Sequence, residues 1–136
     1  MFSRIIVAVD LANMDQGKAL LNKAVRMIDA GGEIRLLHVL EEVPSYIAAE
    51  LPRDLNDRRQ AEAKVELGLL TQGADSNVAT EVRSGAASSQ ILQCAEDTGA
   101  DLIMIASHRP GLSDYFIGST AARVVRHAQC SVLISR

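Results

Sequence analysis

Apolar residues concentrate in five short segments of the chain, and longer amphipathic segments separate them. The short segments are residues 5–9, 34–40, 77–83, 102–105 and 131–134. Residues 5–9 (IIVAV) are apolar throughout, which is typical of a central parallel strand covered on both faces. Residues 77–83 (NVATEVR) alternate apolar and polar side chains, so this strand is predicted to lie at an edge of the sheet. The pattern therefore predicts five β-strands.

The segments between the strands carry apolar side chains at helical spacing. We predict helices over residues 19–30, 55–72, 87–99 and 121–128, with Gly31 and Gly32 ending the first of them. Their apolar faces are Leu20, Ala24, Met27 and Ile28; Ala63, Leu67 and Leu70; Ala87, Ile91, Leu92 and Ala95; and Ala121, Val124, Val125 and Ala128. Because strands and helices alternate, we predict one α/β domain over residues 1–136, with an open, mostly parallel sheet and helices on both faces.

The carboxyl ends of parallel strands are where an open α/β sheet binds its ligands. If the first and fourth strands are neighbours, that edge carries Val9, Asp10, Val39 and residues 105–109. The carboxylate of Asp10 has two possible roles there. It accepts hydrogen bonds from a ribose, or it caps the turn that follows the first strand. The sequence leaves these two roles open.

A second candidate site is the turn Gly118-Ser119-Thr120, which follows a polar loop and precedes the last helix. The first turn of a helix has free N–H groups and the positive end of the helix dipole, and both attract anions. The hydroxyl groups of Ser119 and Thr120 add donors, and Arg109 adds a guanidinium that suits a phosphate. Our central hypothesis is that a phosphate chain binds at this turn.

Composition narrows the classes of function. The net charge is −3 and there are four Phe and Tyr residues and no Trp, so we expect neither nucleic acid nor a membrane surface as partner. Cys94 and Cys130 are predicted to be reduced and structural. His38 is predicted to be a buried, hydrogen-bonded core histidine, since it has no partner at metal-ligand spacing. No signal peptide or apolar run of about 18 residues is evident, so we expect a cytoplasmic protein.

Motifs of catalysis are absent in strict form. The chain has no GxxxxGK[ST] loop and no GxGxxG after the first strand. Ser107 and His108 are adjacent but lie in no GxSxG elbow, which disfavours a hydrolase. Asp10 and Asp114 are the carboxylates closest to the predicted ligand edge, and they make a poor acid–base pair.

Several stretches together resemble the universal stress protein family. They are residues 107–110 (SHRP), Gly118-Ser119, residues 124–128 (VVRHA) and 131–134 (SVLI), with residues 5–10 (IIVAVD) and 37–39 (LHV) at the start. The resemblance spans the whole chain and is greatest to the short, single-domain, ATP-binding bacterial members. It implies a flavodoxin-like sheet of order 3-2-1-4-5 that binds ATP, ADP or AMP, with or without Mg²⁺. It also implies a stress- or energy-responsive homodimer or tetramer.

The resemblance also implies the site residues. The nucleotide-binding residues would be Ala8, Val9, Asp10, Val39, Ile105, Ala106, Ser107, Arg109, Gly118, Ser119 and Thr120. The last strand would pair with its copy across a two-fold axis through Ser131, Val132, Leu133 and Ile134.

Two departures from the family pattern bear on function. The family's ATP signature is Gly-x2-Gly-x9-Gly-Ser/Thr, whereas here Ala106 and Arg109 replace the first two glycines and the loop to Gly118 is one residue shorter. A methyl group at Ala106 would crowd the close backbone approach that glycine allows. Three functions stay open on the sequence: a nucleotide-binding regulator, a slow ATP-hydrolysing enzyme, and a nucleotide-free protein that acts through its dimer surfaces.

Overall fold

Five parallel strands form a single sheet in the order β3-β2-β1-β4-β5. The computed structural model describes residues 1–42, 44–74, 77–107 and 118–136. The strands are β1 (Phe2–Ala8), β2 (Ile28–Leu40), β3 (Val78–Ser84), β4 (Leu102–Ala106) and β5 (Ser131–Ser135). The predicted strand order is confirmed, and so is the edge position of β3.

Helices cover both faces of this sheet, as predicted. They are α1 (Met14–Met27), α2 (Ser45–Ala48), α3 (Leu55–Leu70), α4 (Ala87–Thr98) and α5 (Ser119–His127), and one turn of 3-10 helix (Leu11–Asn13) follows β1. α1 and α3 pack on one face, and α4 and α5 pack on the other. The short helix α2 lies outside the four helices that the sequence predicted.

Alternate residues of the central strands belong to opposite cores. Ile5 and Val7 of β1 pack against α1 and α3, whereas Ile6 packs against α4 and α5. All three side chains are at most 1% exposed. Side chains of successive strand residues point to opposite faces, and both faces are covered here. The continuous apolar run of β1 follows from this double burial.

The amino-terminal end of β1 is fastened to the start of β4 by Asp101. Its carboxylate accepts hydrogen bonds from the backbone N–H groups of Ser3 (2.8 Å) and Arg4 (3.0 Å). The N–H of Asp101 donates in return to the carbonyl oxygen of Arg4 (2.9 Å). Burial would raise the pKa of Asp101, but the hydrogen bonds from Ser3 and Arg4 outweigh it and hold this pKa below its ordinary value.

The end of the first helix was predicted wrongly. α1 ends at Met27, and Gly31 and Gly32 lie inside β2. The N–H of Ile28 still bonds to the carbonyl oxygen of Ala24, but Ile28 itself is extended and pairs with Phe2. Pairing with β1 therefore ends the helix before Gly31 and Gly32. This pairing is a long-range contact, so a helix-stop signal in the local sequence does not predict it.

The predicted apolar face of the last helix is also only partly buried. Ala121 and Val124 are 1% and 0% exposed, but Val125 is 48% exposed. α5 packs beside α4 and over β4 and β5, at one end of the sheet. Val125 is not among the side chains that pack into the core on this face of the sheet.

Both cysteines are free, as predicted. Cys94 is buried and Cys130 is half-buried. Burial, together with the nearby carboxylate of Glu81, raises the pKa of Cys94 to about 11. Such a thiol is protonated at neutral pH, which fits a structural role. Among the described helices, none has the length and apolar character needed to cross a membrane.

Candidate functional site

A cleft of about 770 Å³ lies at the carboxyl edge of the sheet. Strand register brings its floor together, because Ala8 of β1 pairs with Leu37 of β2 on one side and with Ile105 of β4 on the other. Strand order reverses at β1, whose neighbours β2 and β4 lead outward to opposite edges. The cleft therefore occupies the topological switch point at which α/β sheets bind ligands.

The cleft gathers ten of the eleven residues that the family resemblance implied. They are Ala8, Val9, Asp10, Val39, Ile105, Ala106, Ser107, Gly118, Ser119 and Thr120. The eleventh, Arg109, lies outside the described residues, as do His108 and Asp114. Residues separated by about a hundred positions in sequence thus share one cavity.

Asp10 caps the turn that follows β1, which was one of its two predicted roles. Its Oδ1 accepts a hydrogen bond of 2.9 Å from the N–H of Ala12, and its Oδ2 lies 3.5 Å from the side-chain nitrogen of Asn13. A carboxylate can accept about four hydrogen bonds, and Asp10 is exposed in the cleft wall. Capping therefore leaves acceptor capacity for a ligand hydroxyl.

The turn at Gly118 begins α5, as predicted. Gly118 is the N-cap residue, and no side chain caps the helix. The first-turn N–H groups of this helix are therefore available to a ligand at the cleft wall. A Cβ placed on Gly118 would have the carbonyl oxygen of Ser107, at 4.0 Å, as its nearest neighbour among the described residues. Those residues therefore leave the space in front of this backbone open.

His38 lines the cleft and is only half-buried, so the prediction of a buried core histidine was wrong. Its hydrogen bond was predicted correctly: Nδ1 lies 3.0 Å from the carbonyl oxygen of Val9. A carbonyl only accepts, so Nδ1 carries the proton in this contact. The contact fixes the imidazole ring beside the end of β1.

Other cleft residues were missed by the sequence interpretation. Asn13 and Gln16 project from the start of α1, and Arg59 projects from α3. The turn after β1 must begin at the ligand edge, so its polar residues could have been found from topology alone. Arg59 stands in a charged stretch of α3 beside the exposed Arg58, but it is half-buried. No local signal distinguishes it from Arg58, because only the packing of α3 brings it to the cleft.

Two smaller cavities adjoin the cleft, and the carboxylate-bearing Glu41 lines all three. One, of about 560 Å³, lies between α2 and the start of α3 and shares Arg59 with the cleft. The other, of about 440 Å³, lies at the starts of α4 and α5 and shares Ser119 and Thr120 with it. The described residues contain no cluster of three or more His, Cys, Asp or Glu side chains that could hold a metal ion.

Comparisons with known proteins agree with this fold. The model of the Universal stress protein family matches residues 1–136. Universal stress protein G of Shigella flexneri is 32% identical over 143 aligned positions that cover 100% of both chains. The structure of universal stress protein UspA from Lactobacillus plantarum superposes with a TM-score of 0.76 at 24% identity, over 98% of this chain and 97% of that one.

Two more distant structures in the same fold hold nucleotides. The universal stress protein from Archaeoglobus fulgidus in complex with dAMP superposes with a TM-score of 0.61 at 15% identity, over 98% of this chain and 97% of that one. A universal stress protein in complex with cAMP does so with a TM-score of 0.63 at 18% identity, over 99% and 97%. The full-length family match and the 32% identity to a full-length relative establish the assignment. This chain belongs to the universal stress protein family.

Proposed function

We propose that this protein binds an adenine nucleotide in the cleft at the carboxyl edge of the sheet and acts as a regulator of the stress response. In this proposal the phosphates lie on the first turn of α5, at Gly118, Ser119 and Thr120. The ribose hydroxyls donate to Asp10, and the adenine lies beside the backbone of Val39. The observation that carries the proposal is the convergence of these residues, from β1, β2 and α5, on one cavity.

The chemistry of the cleft suits the parts of a nucleotide. Its phosphate end has an uncapped helix start and two hydroxyl groups, which together bind anions. Asp10 adds a carboxylate with acceptor capacity, and the buried side chains of Val9 and Ile105 make part of the lining apolar. Drug-sized ligands occupy cavities of about 300–1,000 Å³, and this cleft, at about 770 Å³, has that size. The complexes of family members with dAMP and cAMP support an adenine ligand.

Magnesium, if it accompanies the nucleotide, would depend mainly on the phosphates for its ligands. Near the cleft the chain offers the separate carboxylates of Asp10 and Glu41. Mg²⁺ in nucleotide sites keeps several waters and takes one or two carboxylates along with phosphate oxygens. Regulation then requires that nucleotide bind more tightly to one conformation or assembly of the protein than to another.

The first test separates the two roles of Asp10. Isothermal titration calorimetry with AMP, ADP and ATP is expected to give one site per chain. The substitution Asp10→Asn keeps an oxygen for the Ala12 cap but removes the charge and half of the acceptors, so we expect affinity to fall about tenfold with little change in stability. Asp15→Asn, an exposed change of the same charge outside the cleft, is the control.

Two outcomes would contradict the proposal at different levels. Equal affinities of the Asp10→Asn and Asp15→Asn variants would place the ribose elsewhere. The proposal of nucleotide binding would be contradicted if none of the three nucleotides gave a heat of binding at millimolar concentration and the denatured protein released no nucleotide.

We also propose that the protein is a homodimer joined through β5. This strand is an edge of the sheet, and its apolar residues Val132, Leu133 and Ile134 are only half-buried. Val125 of the adjoining α5 is 48% exposed. An open edge strand beside exposed apolar side chains is a site at which a second copy can pair. Light scattering after size-exclusion chromatography should give twice the chain mass of 14.6 kDa; a single chain mass at micromolar concentration would contradict this.

A further inference from the structure

The side cavity at the starts of α4 and α5 has the features of a second anion site. We name it the α4/α5 cavity; it measures about 440 Å³. Its lining residues are Glu41, Glu42, Gly85, Ala86, Ala87, Ser88, Ser119, Thr120 and Arg123. Ser119 and Thr120 thus line both the main cleft and this cavity.

Two helices begin in the wall of the α4/α5 cavity. α4 has 12 residues and its N-cap is Ala86, while α5 has nine residues and its N-cap is Gly118; neither helix has a side-chain cap. Each helix start contributes roughly half a positive charge and several N–H groups without a partner in the helix. Gly85, with φ of 135°, makes the turn into α4, and its N–H bonds to the carbonyl oxygen of Leu40 at 2.9 Å.

Ser88, in the first turn of α4, supplies a separate indication of a ligand. It is 7% exposed, the one polar residue among the buried ones in the described part of the chain. Its hydroxyl makes no hydrogen bond to the described residues. In that part of the chain, every side-chain oxygen or nitrogen that is sealed from solvent does have a hydrogen-bond partner. The hydroxyl must therefore be accessible, and the α4/α5 cavity is the space that Ser88 lines. Because this accessible hydroxyl has no protein partner among the described residues, it is free to bond to a ligand in the cavity.

The charges around the α4/α5 cavity are divided between its walls. Arg123, exposed on α5, contributes a guanidinium to the wall formed by the helix starts, and it has no ion pair among the described residues. Glu41 and Glu42, which follow β2, contribute carboxylates. Arg123 and the two helix starts favour an anion, whereas the two carboxylates lower its affinity.

We propose that the α4/α5 cavity binds a phosphate group, held by the N–H groups at the start of α4, the hydroxyl of Ser88 and the guanidinium of Arg123. A phosphate has oxygens in four directions, so it can accept from two helix starts, a hydroxyl and a guanidinium together. The group is either a distal phosphate of the nucleotide in the main cleft or a free phosphate. The site itself does not depend on the adenine and ribose contacts proposed above.

Inorganic phosphate is the probe that tests the site, with the backbone amides followed by ¹⁵N NMR. Gly85 and Ser88 line the α4/α5 cavity but not the main cleft, whereas Ala8 and Val9 line only the main cleft. We expect the amide signals of Gly85 and Ser88 to shift with phosphate at about millimolar concentration. No shift of these two signals at 20-fold that concentration would overturn the proposal.

Variants of the wall identify the groups that hold the phosphate. Arg123→Gln should weaken phosphate binding about tenfold by loss of a charged donor, and Ser88→Ala about threefold. Glu42→Gln should strengthen it several-fold, since it removes a like charge. Arg126→Gln makes the same change on the same helix outside the cavity and is the control. Arg123→Gln and Arg126→Gln variants with equal affinity would overturn the assignment.

Competition then distinguishes the source of the phosphate. If ATP but not AMP displaces phosphate from the signals of Gly85 and Ser88, the group is a distal phosphate of the nucleotide. If neither displaces it, the cavity binds free phosphate. Displacement by AMP would mean that the phosphate had bound at the main turn, and this would overturn the proposal. Nucleotide binding in the main cleft is measured by the amide signals of Ala8 and Val9. Failure of the phosphate proposal therefore does not imply failure of the nucleotide proposal, or the reverse.

Discussion

The substitution Gly118→Val should lower nucleotide affinity about a hundredfold and leave the fold intact. The valine side chain would stand in front of the α5 turn, where the described residues leave space and where the phosphates are proposed to lie, and it would deny them a close approach to the backbone. Gly118 has φ of −56° and ψ of 153°, a conformation open to every residue type. Valine is a poorer N-cap residue than glycine, so we expect the free energy of unfolding to fall by about 1 kcal/mol at most. Calorimetric titration with ATP and urea unfolding measure the two quantities.

A matched control exists on α3. A Cβ on Gly68 meets no atom within 4 Å, and this glycine lies outside the main cleft. Gly68→Val should therefore leave ATP affinity unchanged. If the Gly118→Val variant bound ATP as tightly as the Gly68→Val variant, the phosphates would have to lie away from the α5 turn.

The largest effect on stability is expected at Leu67 of α3. Its side chain is 0% exposed and packs in the core between α1, α3 and the sheet. Leu67→Ala removes buried methyl groups and leaves a cavity, so it should lower the free energy of unfolding by about 3 kcal/mol. Leu69→Ala makes the same change two residues away, where the side chain is 52% exposed, and should cost at most about 0.5 kcal/mol.

Urea unfolding of the two variants would measure this difference directly. Equal losses at Leu67 and Leu69 would mean that α3 does not present the face described here. That face carries Arg59 to the cleft, so the comparison also tests how the cleft is built.

Most of the sheet could be predicted because its strands are short, apolar and separated by well-patterned helices. The run at residues 5–9 and the row Ala63, Leu67 and Leu70 each lie where their periodicity predicts. The extent of β2 could not be predicted, because Ile28 is extended by pairing with Phe2. This contact with β1 is not contained in any local pattern.

In the candidate cleft, too, some residues could be predicted from local sequence and others depend on packing. Asp10 and Gly118 were predicted because each follows a strand or begins a helix, so local sequence places it at the ligand edge. Arg59 and Ser88 were not, because both lie on helix faces whose orientation depends on packing. Topology placed Val39 at the same edge, but only the family resemblance gave it a nucleotide-binding role, because its side chain alone indicates no function.

The double burial of β1 also bears on how this protein tolerates insertions and deletions. A strand with one polar face resists a one-residue slip because the slip would bury charge. β1 lacks that safeguard near its middle, where Ile5, Ile6 and Val7 are apolar and both cores accept them. A slip would nevertheless carry Asp10 about 3.3 Å along the strand and turn it to the opposite face. The hydrogen bonds from Ser3 and Arg4 to Asp101, at the other end of β1, thus fix the register of this strand. That register determines the position of the Asp10 carboxylate in the cleft.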